Sequence, residues 1–124
     1  DKTTNEIQFA GAKNPLLEVS QSEVTEFKPD MEGIGGHTPE DYAFATQTVS
    51  PKKGSTFYIY SDGYKDQFGG DKGKKFKTSN FKSLLKSVQS ENMKRQKEII
   101  HQRMEEWKGN LEQLDDICIV GIRL

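Results

Sequence analysis

The sequence predicts an α+β fold, an antiparallel β-sheet with helices packed on one face. Three observations carry that expectation. Short apolar runs with strand-like alternation fill the first half of the chain. Two stretches with helical spacing follow, between about residues 79 and 107. A final apolar run, 116–124, reads as a strand again. Four strands, two helices and one strand are segregated rather than alternating, which is the pattern of an antiparallel α+β arrangement.

Each element has a local reason. Residues 5–10, Asn-Glu-Ile-Gln-Phe-Ala, alternate as a half-buried strand does. Ala10-Gly11-Ala12-Lys13-Asn14-Pro15 is a turn signal, and Leu16 to Val19 returns as a second strand, so the two are expected to form a hairpin. Residues 28–41 contain Pro29, Gly33, Gly35, Gly36 and Pro39 and read as an irregular loop. Tyr42 to Val49 alternates again, with Tyr42, Phe44 and Thr46 on one side. After the Pro51-Lys52-Lys53-Gly54 turn, Ser55 to Tyr60 is aromatic and β-branched, the best strand in the chain. Gln67 to Gly73 is a glycine-rich loop. Ser79 or Asn80 is expected to cap a helix through Phe81, Leu84, Leu85 and Val88. A second helix is expected from Asn92 to Trp107, with Met93, Ile100, Met104 and Trp107 on its apolar stripe and Gly109 as C-cap.

Length and composition bound the rest. A chain of 124 residues makes one small domain. Leu, Ile, Val and Phe number 27 of 124, and mean hydropathy is −0.82, so the core is thin. Such a chain could equally be a piece of a larger domain whose other half covers more apolar surface. The opening Asp1-Lys2-Thr3-Thr4 has no initiator Met, and the expectation is that something precedes it. Charge is uneven: residues 1–50 hold nine acidic and three basic residues (net −6), residues 71–103 ten basic and three acidic (net +7). A basic region can attract nucleic acid, a membrane surface or a phosphorylated protein, against the plainer reading of a solvated helical face. The lone cysteine, Cys118, excludes an internal disulfide and is expected to serve as a small core hydrophobe. That usage suits a reducing, cytoplasmic setting. No apolar run reaches the roughly 18–20 residues of a membrane span, so no membrane contact is expected from this segment.

Two segments can do chemistry. Tyr58-Ile59-Tyr60-Ser61-Asp62-Gly63 and Gln113-Leu114-Asp115-Asp116-Ile117 each put an Asp at the end of a strand-like run. Carboxylates from separate segments can converge on a hard cation, which needs several oxygen ligands. Taken singly, Asp-Gly is as readily a turn, and Asp115-Asp116 a solvated one. His37 and His101 lack partners at zinc spacing, and Ser61 has no nearby base to activate it. The Gly69-to-Lys75 run does not match a phosphate-binding P-loop.

The ordered set Ala10-Gly11-Ala12-Lys13-Asn14-Pro15, Gly33-Ile34-Gly35-Gly36, Tyr60-Ser61-Asp62-Gly63-Tyr64, Asp66-Gln67-Phe68-Gly69-Gly70 and Asp115-Asp116-Ile117 resembles the metal-dependent PPM-type serine/threonine phosphatases. The similarity is greatest to the bacterial sporulation stage II protein E (SpoIIE-type) branch. With Glu105-Glu106-Trp107-Lys108-Gly109, it looks like the output domain of bacterial sensor proteins. It covers nearly all of residues 1–124, but only the C-terminal part of that αββα sandwich domain. The resemblance implies that Asp62 is a metal ligand, that Gly63 lines the same site, and that Asp115 is the ligand opening the Asp-Asp motif. Asp66 and Asp116 are implied as residues just behind the ligands. Where the family often has Pro before Ile-Gly, this chain has Gly33.

The resemblance also implies chemistry and partners. Two Mn²⁺ or Mg²⁺ ions would activate water for in-line attack on a phosphoserine or phosphothreonine. The substrate would be a phosphorylated regulatory protein, commonly an anti-sigma-factor antagonist in this branch. An upstream sensor or signalling domain, a homodimer, and a cytoplasmic location (or the cytoplasmic face of a membrane-anchored parent) belong to the same expectation. The isolated chain is expected to be inactive, because two lone carboxylates cannot supply six oxygen ligands. The alternative is a non-catalytic phosphatase-like interaction or dimerisation module. Nucleic-acid binding is not expected: Phe76 and Phe81 are sparse aromatics for the 71–103 region.

Overall fold

A computed structural model of the chain describes residues 3–124; Asp1 and Lys2, the start of the stretch without an initiator Met, lie outside the described residues. The elements are β1 (Ile7–Phe9), β2 (Leu16–Val19), β3 (Val24–Phe27), β4 (Gln47–Val49), β5 (Thr56–Tyr60), α1 (Gly63–Asp66), β6 (Phe68–Gly69), β7 (Lys74–Lys75), α2 (Thr78–Ser87), α3 (Met93–Lys108) and β8 (Ile119–Arg123). Four strands form an antiparallel sheet in the order β3-β2-β5-β8, and β1-β4 and β6-β7 form separate two-stranded ribbons. The α+β class with helices on one face of the main sheet is therefore correct.

Alternation along β2 and β5 sorts the side chains between two layers. Leu17, Val19, Tyr58 and Tyr60 face the helices and pack with Phe81, Leu85, Ile100 and Met104. Leu16 and Phe57 face the other way, onto Val49, Ile7 and Phe9 of the β1-β4 ribbon. The ribbon covers only part of that face. Ile59, Val120 and Ile122, which share the face of Phe57 by cross-strand register, remain 47%, 43% and 55% exposed.

Several local expectations need correction. The first two strands do not form a hairpin: β1 pairs with β4, and β2 with β3 and β5. The turn at residues 10–15 is instead tied to Asp30, through Lys13 N–H to the Asp30 carbonyl (2.8 Å) and Asp30 N–H to the Gly11 carbonyl (2.9 Å). Only 47–49 of the 42–49 run is strand. Neither Ser79 nor Asn80 caps α2; Lys77 holds the N-cap position with φ 76. For α3 the reading holds, with the Asn92 side chain accepting from Arg95 N–H and Gly109 at the C-cap. Cys118 is exposed rather than core, because it lies on the uncovered sheet face just ahead of edge strand β8.

Candidate functional site

β5 ends at Tyr60, and the chain turns through Ser61-Asp62 into the single turn of α1. Asp62 occupies the N-cap position, yet its carboxylate makes no capping hydrogen bond and is exposed. The adjoining Gly63 is buried. A methyl group added there would overlap the Asp116 carbonyl oxygen and stand 2.9 Å from its carbon, so only glycine lets the two backbones touch.

Ser61 locks the two segments together. Its N–H donates to the Cys118 carbonyl at 2.9 Å, its hydroxyl donates to the Asp116 carbonyl at 2.8 Å, and the same oxygen accepts from Cys118 N–H at 2.9 Å. These bonds continue the β5-β8 ladder past its last pair, Tyr60 and Ile119. The Asp62-Gly63 turn and the Asp115-Asp116 turn are thus held in backbone contact. Residues 115–118 are loop, not the start of the last strand. Asp115 and Asp116 are both exposed, and Asp115 Oδ1 accepts from Asp116 N–H at 2.7 Å.

Exposed carboxylates on two touching turns suit a hard divalent cation in donor chemistry. They fall short in number: among the described residues no group of three or more His, Cys, Asp or Glu side chains is placed to hold an ion. Asp66 is committed elsewhere. Its carboxylate lies 3.2 Å from both Lys65 Nζ and Lys75 Nζ. Partial burial would raise its pKa, but the hydrogen bonds and charges of the two lysines outweigh that and hold it below the usual carboxylate value. His37 and His101 are exposed.

The Asp66-Gln67-Phe68-Gly69-Gly70 run has a structural role that sequence reasoning missed. Gln67 is 1% exposed, and its amide donates to the Glu112 carbonyl at 2.9 Å and to the Phe68 carbonyl at 3.0 Å. Trp107 Nε1–H donates to the Gln67 carbonyl at 3.0 Å, and Gly70 N–H to the Trp107 carbonyl at 2.8 Å. A methyl group at Gly69 would stand 2.6 Å from Trp107 Cδ1. Gln67 and Trp107 therefore fasten the loop entering Asp115-Asp116 to the segment leaving Asp62. The pairing of Gly69-Gly70 with Glu105-Glu106-Trp107-Lys108-Gly109 was present in the sequence as two separate signals. Beside the turns lies a cleft of about 300 Å³ lined by Asn14, Ile34, Ile59, Ser61 and Cys118, so loops far apart in sequence meet there.

The sequence profile of the family described as Stage II sporulation protein E (SpoIIE) matches residues 1–124. No curated protein sequence matches. Among solved structures, the SiaA-PP2C domain of Pseudomonas aeruginosa superposes with TM-score 0.90 and 31% identity, covering 100% of this chain and 48% of that one. The RsbU and RsbW domains of a Mycobacterium tuberculosis protein match with TM-score 0.69 and 19% identity, over 96% of this chain and 33% of that one. RsbX in complex with magnesium matches with TM-score 0.57 and 22% identity, over 98% and 51%. The last two show shared fold alone. The chain spans about half the length of these structures or less. A match running the whole length of the chain shows that it belongs to the SpoIIE family of PPM-type phosphatase domains.

Proposed function

We propose that the chain is the C-terminal part of a metal-dependent protein phosphatase domain. It would act on phosphoserine or phosphothreonine of a bacterial regulatory protein, such as an anti-sigma-factor antagonist. The backbone contact between Gly63 and the Asp116 carbonyl supports this reading most directly. In the proposal, Asp62 and Asp115 present carboxylates to Mn²⁺ or Mg²⁺, Gly63 permits the close approach, and Asp116 flanks the pair. Bound divalent ions supply Lewis-acid activation of water and neutralise charge at the phosphoryl group. Ser61 does not act as nucleophile, since its hydroxyl is already donor to Asp116 and acceptor from Cys118. Its role is to hold the two acidic turns at fixed separation.

The test is a chimera in which these residues follow the part of the SiaA-PP2C domain that they do not match. Mn²⁺-dependent hydrolysis of p-nitrophenyl phosphate is expected from the chimera. Asp62→Asn is expected to cost about a hundredfold or more, as loss of a metal-site group does. The chain alone is expected to show no turnover above background. Unchanged activity in the Asp62→Asn chimera would refute the proposal, and brisk turnover by the chain alone would refute the expected inactivity of the isolated chain.

A second reading, a non-catalytic interaction or dimerisation module, draws on the open apolar face of Ile59, Val120 and Ile122. A folded, metal-loaded chimera that never hydrolyses phosphate esters would favour it.

A further inference from the structure

Three lysines without an acidic partner lie close together in the segment that follows the Asp62 turn. Residues 63–77 carry five lysines, at 65, 72, 74, 75 and 77, against two aspartates, Asp66 and Asp71. Asp66 engages Lys65 and Lys75. Lys72, Lys74 and Lys77 are exposed and have no acidic partner among the described residues. On the helices Lys82 pairs with Glu26, Arg95 with Glu98 and Arg103 with Glu106, while Lys86, Lys94 and Lys97 have no acidic partner among the described residues but are spread over twelve positions. Of the ten basic residues of 71–103, four pair with acids, and three of the six that do not fall within residues 72–77.

The hairpin is also rigid. β6 and β7 pair as Phe68 with Lys75 and Gly69 with Lys74. Trp107 clamps it from beneath, and Phe76 is buried between Tyr64 and Trp107. Lys77 adopts φ 76 with ψ 151, a region that is essentially glycine's. That backbone lets Lys77 N–H donate to the Lys65 carbonyl at 2.8 Å, drawing both ends of the segment together. Phe68, 37% exposed, shares a face with Lys75, whose Nζ lies 5.9 Å from the ring centroid. Across the Gln67–Glu112 bond sits the acidic loop of Glu112, Asp115 and Asp116. A basic, pre-ordered surface therefore abuts an acidic turn that suits a cation.

We propose that the 63–77 hairpin is the docking surface for an acidic, phosphorylated segment of the partner protein. The proposal rests on the phosphatase reading and names how its substrate is held. Lysines at fixed spacing attract phosphate and carboxylate groups as point charges, and little ordering entropy is lost when the backbone is already fixed. Phe68 contacts the apolar part of the segment.

The test is fluorescence anisotropy with the 124-residue chain in EDTA, so that neither metal nor turnover enters the readout. The probes are a phosphoserine peptide flanked by Asp and Glu, its unphosphorylated twin, and a single-stranded DNA of matched charge. The phosphopeptide is expected to bind tightest. The combined Lys72→Glu, Lys74→Glu and Lys77→Glu variant should weaken it about tenfold or more, while the equal charge change Lys86→Glu, Lys94→Glu and Lys97→Glu should cost less than about threefold. Lys77→Gly separates docking from folding: it relieves the left-handed backbone, so it should raise the melting temperature while weakening the peptide. Equal losses in both triple variants, no preference for phosphate, or tighter DNA binding would each overturn the proposal. Hairpin-dependent binding alongside an inactive chimera would leave docking standing and remove the phosphatase reading; an active chimera without it would do the reverse.

Discussion

Ser61 illustrates how far a single residue's role depends on neighbours it cannot see along the chain. As a nucleophile it had nothing to recommend it, since no base lay nearby in the sequence. Its partners Asp116 and Cys118 are 55 and 57 positions away. Ser61→Ala removes both bonds and is expected to destabilise the fold by about 1–3 kcal/mol. Urea unfolding should show that loss, and Ser61→Thr, which keeps the hydroxyl, should recover most of it. A Ser61→Ala variant as stable as the parent would mean that the two turns are held by something else. Glu18 makes the same point. The one charged residue of β2, it is nevertheless 3% exposed and accepts from Lys52 N–H and the Ser55 hydroxyl, both at 2.7 Å. Tyr58, which bonds Gln96, has its phenol pushed up to about 12 by burial, despite the opposing charge of Arg123. It stays neutral and hydrogen-bonded across the physiological range.

At the scale of elements, local chemistry was legible and partner choice was not. Asn92 and Gly109 bound α3 as cap propensities require. The turn after β1 was also real, but the strand that follows pairs elsewhere. A hairpin assignment needs both the turn and the register, and only packing of Leu16, Phe57 and Val49 selects the register. Two of the three glycines of the β6-β7 segment, Gly69 and Gly73, divide along the same line. Gly69 is set by tertiary contact with Trp107, Gly73 by its own backbone, with φ 53 and open space around it. Gly69→Ala is therefore expected to cost about 2 kcal/mol or more, as overpacking does, and Gly73→Ala about 1 kcal/mol. Chemical denaturation of the two variants side by side checks the order. Equal costs would show that Trp107 does not clamp the hairpin.

At the scale of the whole molecule, the main sheet is covered on one face and half-covered on the other. Ile59, Val120, Ile122 and Leu124 are exposed, and β8 is an edge strand. Exposed apolar sheet next to an unpaired edge favours association. The isolated chain is expected to self-associate as its concentration rises, and Val120→Lys with Ile122→Lys should shift it toward monomer in light scattering. A wild-type chain that stays monomeric at high concentration would show that this face tolerates water. The thin core inferred from composition goes with this face, where Ile59, Val120 and Ile122 of the chain stay outside the packed layers.

What the sequence determined by itself was the class of fold, the helix bounds of α3, and the two Asp-bearing turns as the candidate places for metal chemistry. Each rests on local propensity or on residue types within a few positions of one another. Tertiary structure alone decided that those turns touch, that Gln67 and Trp107 fasten them, that Asp66 belongs to two lysines, and that Cys118 faces outward. Apart from the Lys65–Asp66 pair of chain neighbours, these are contacts made by the folding back of separate segments or depend on which sheet face is covered, and no local pattern encodes either.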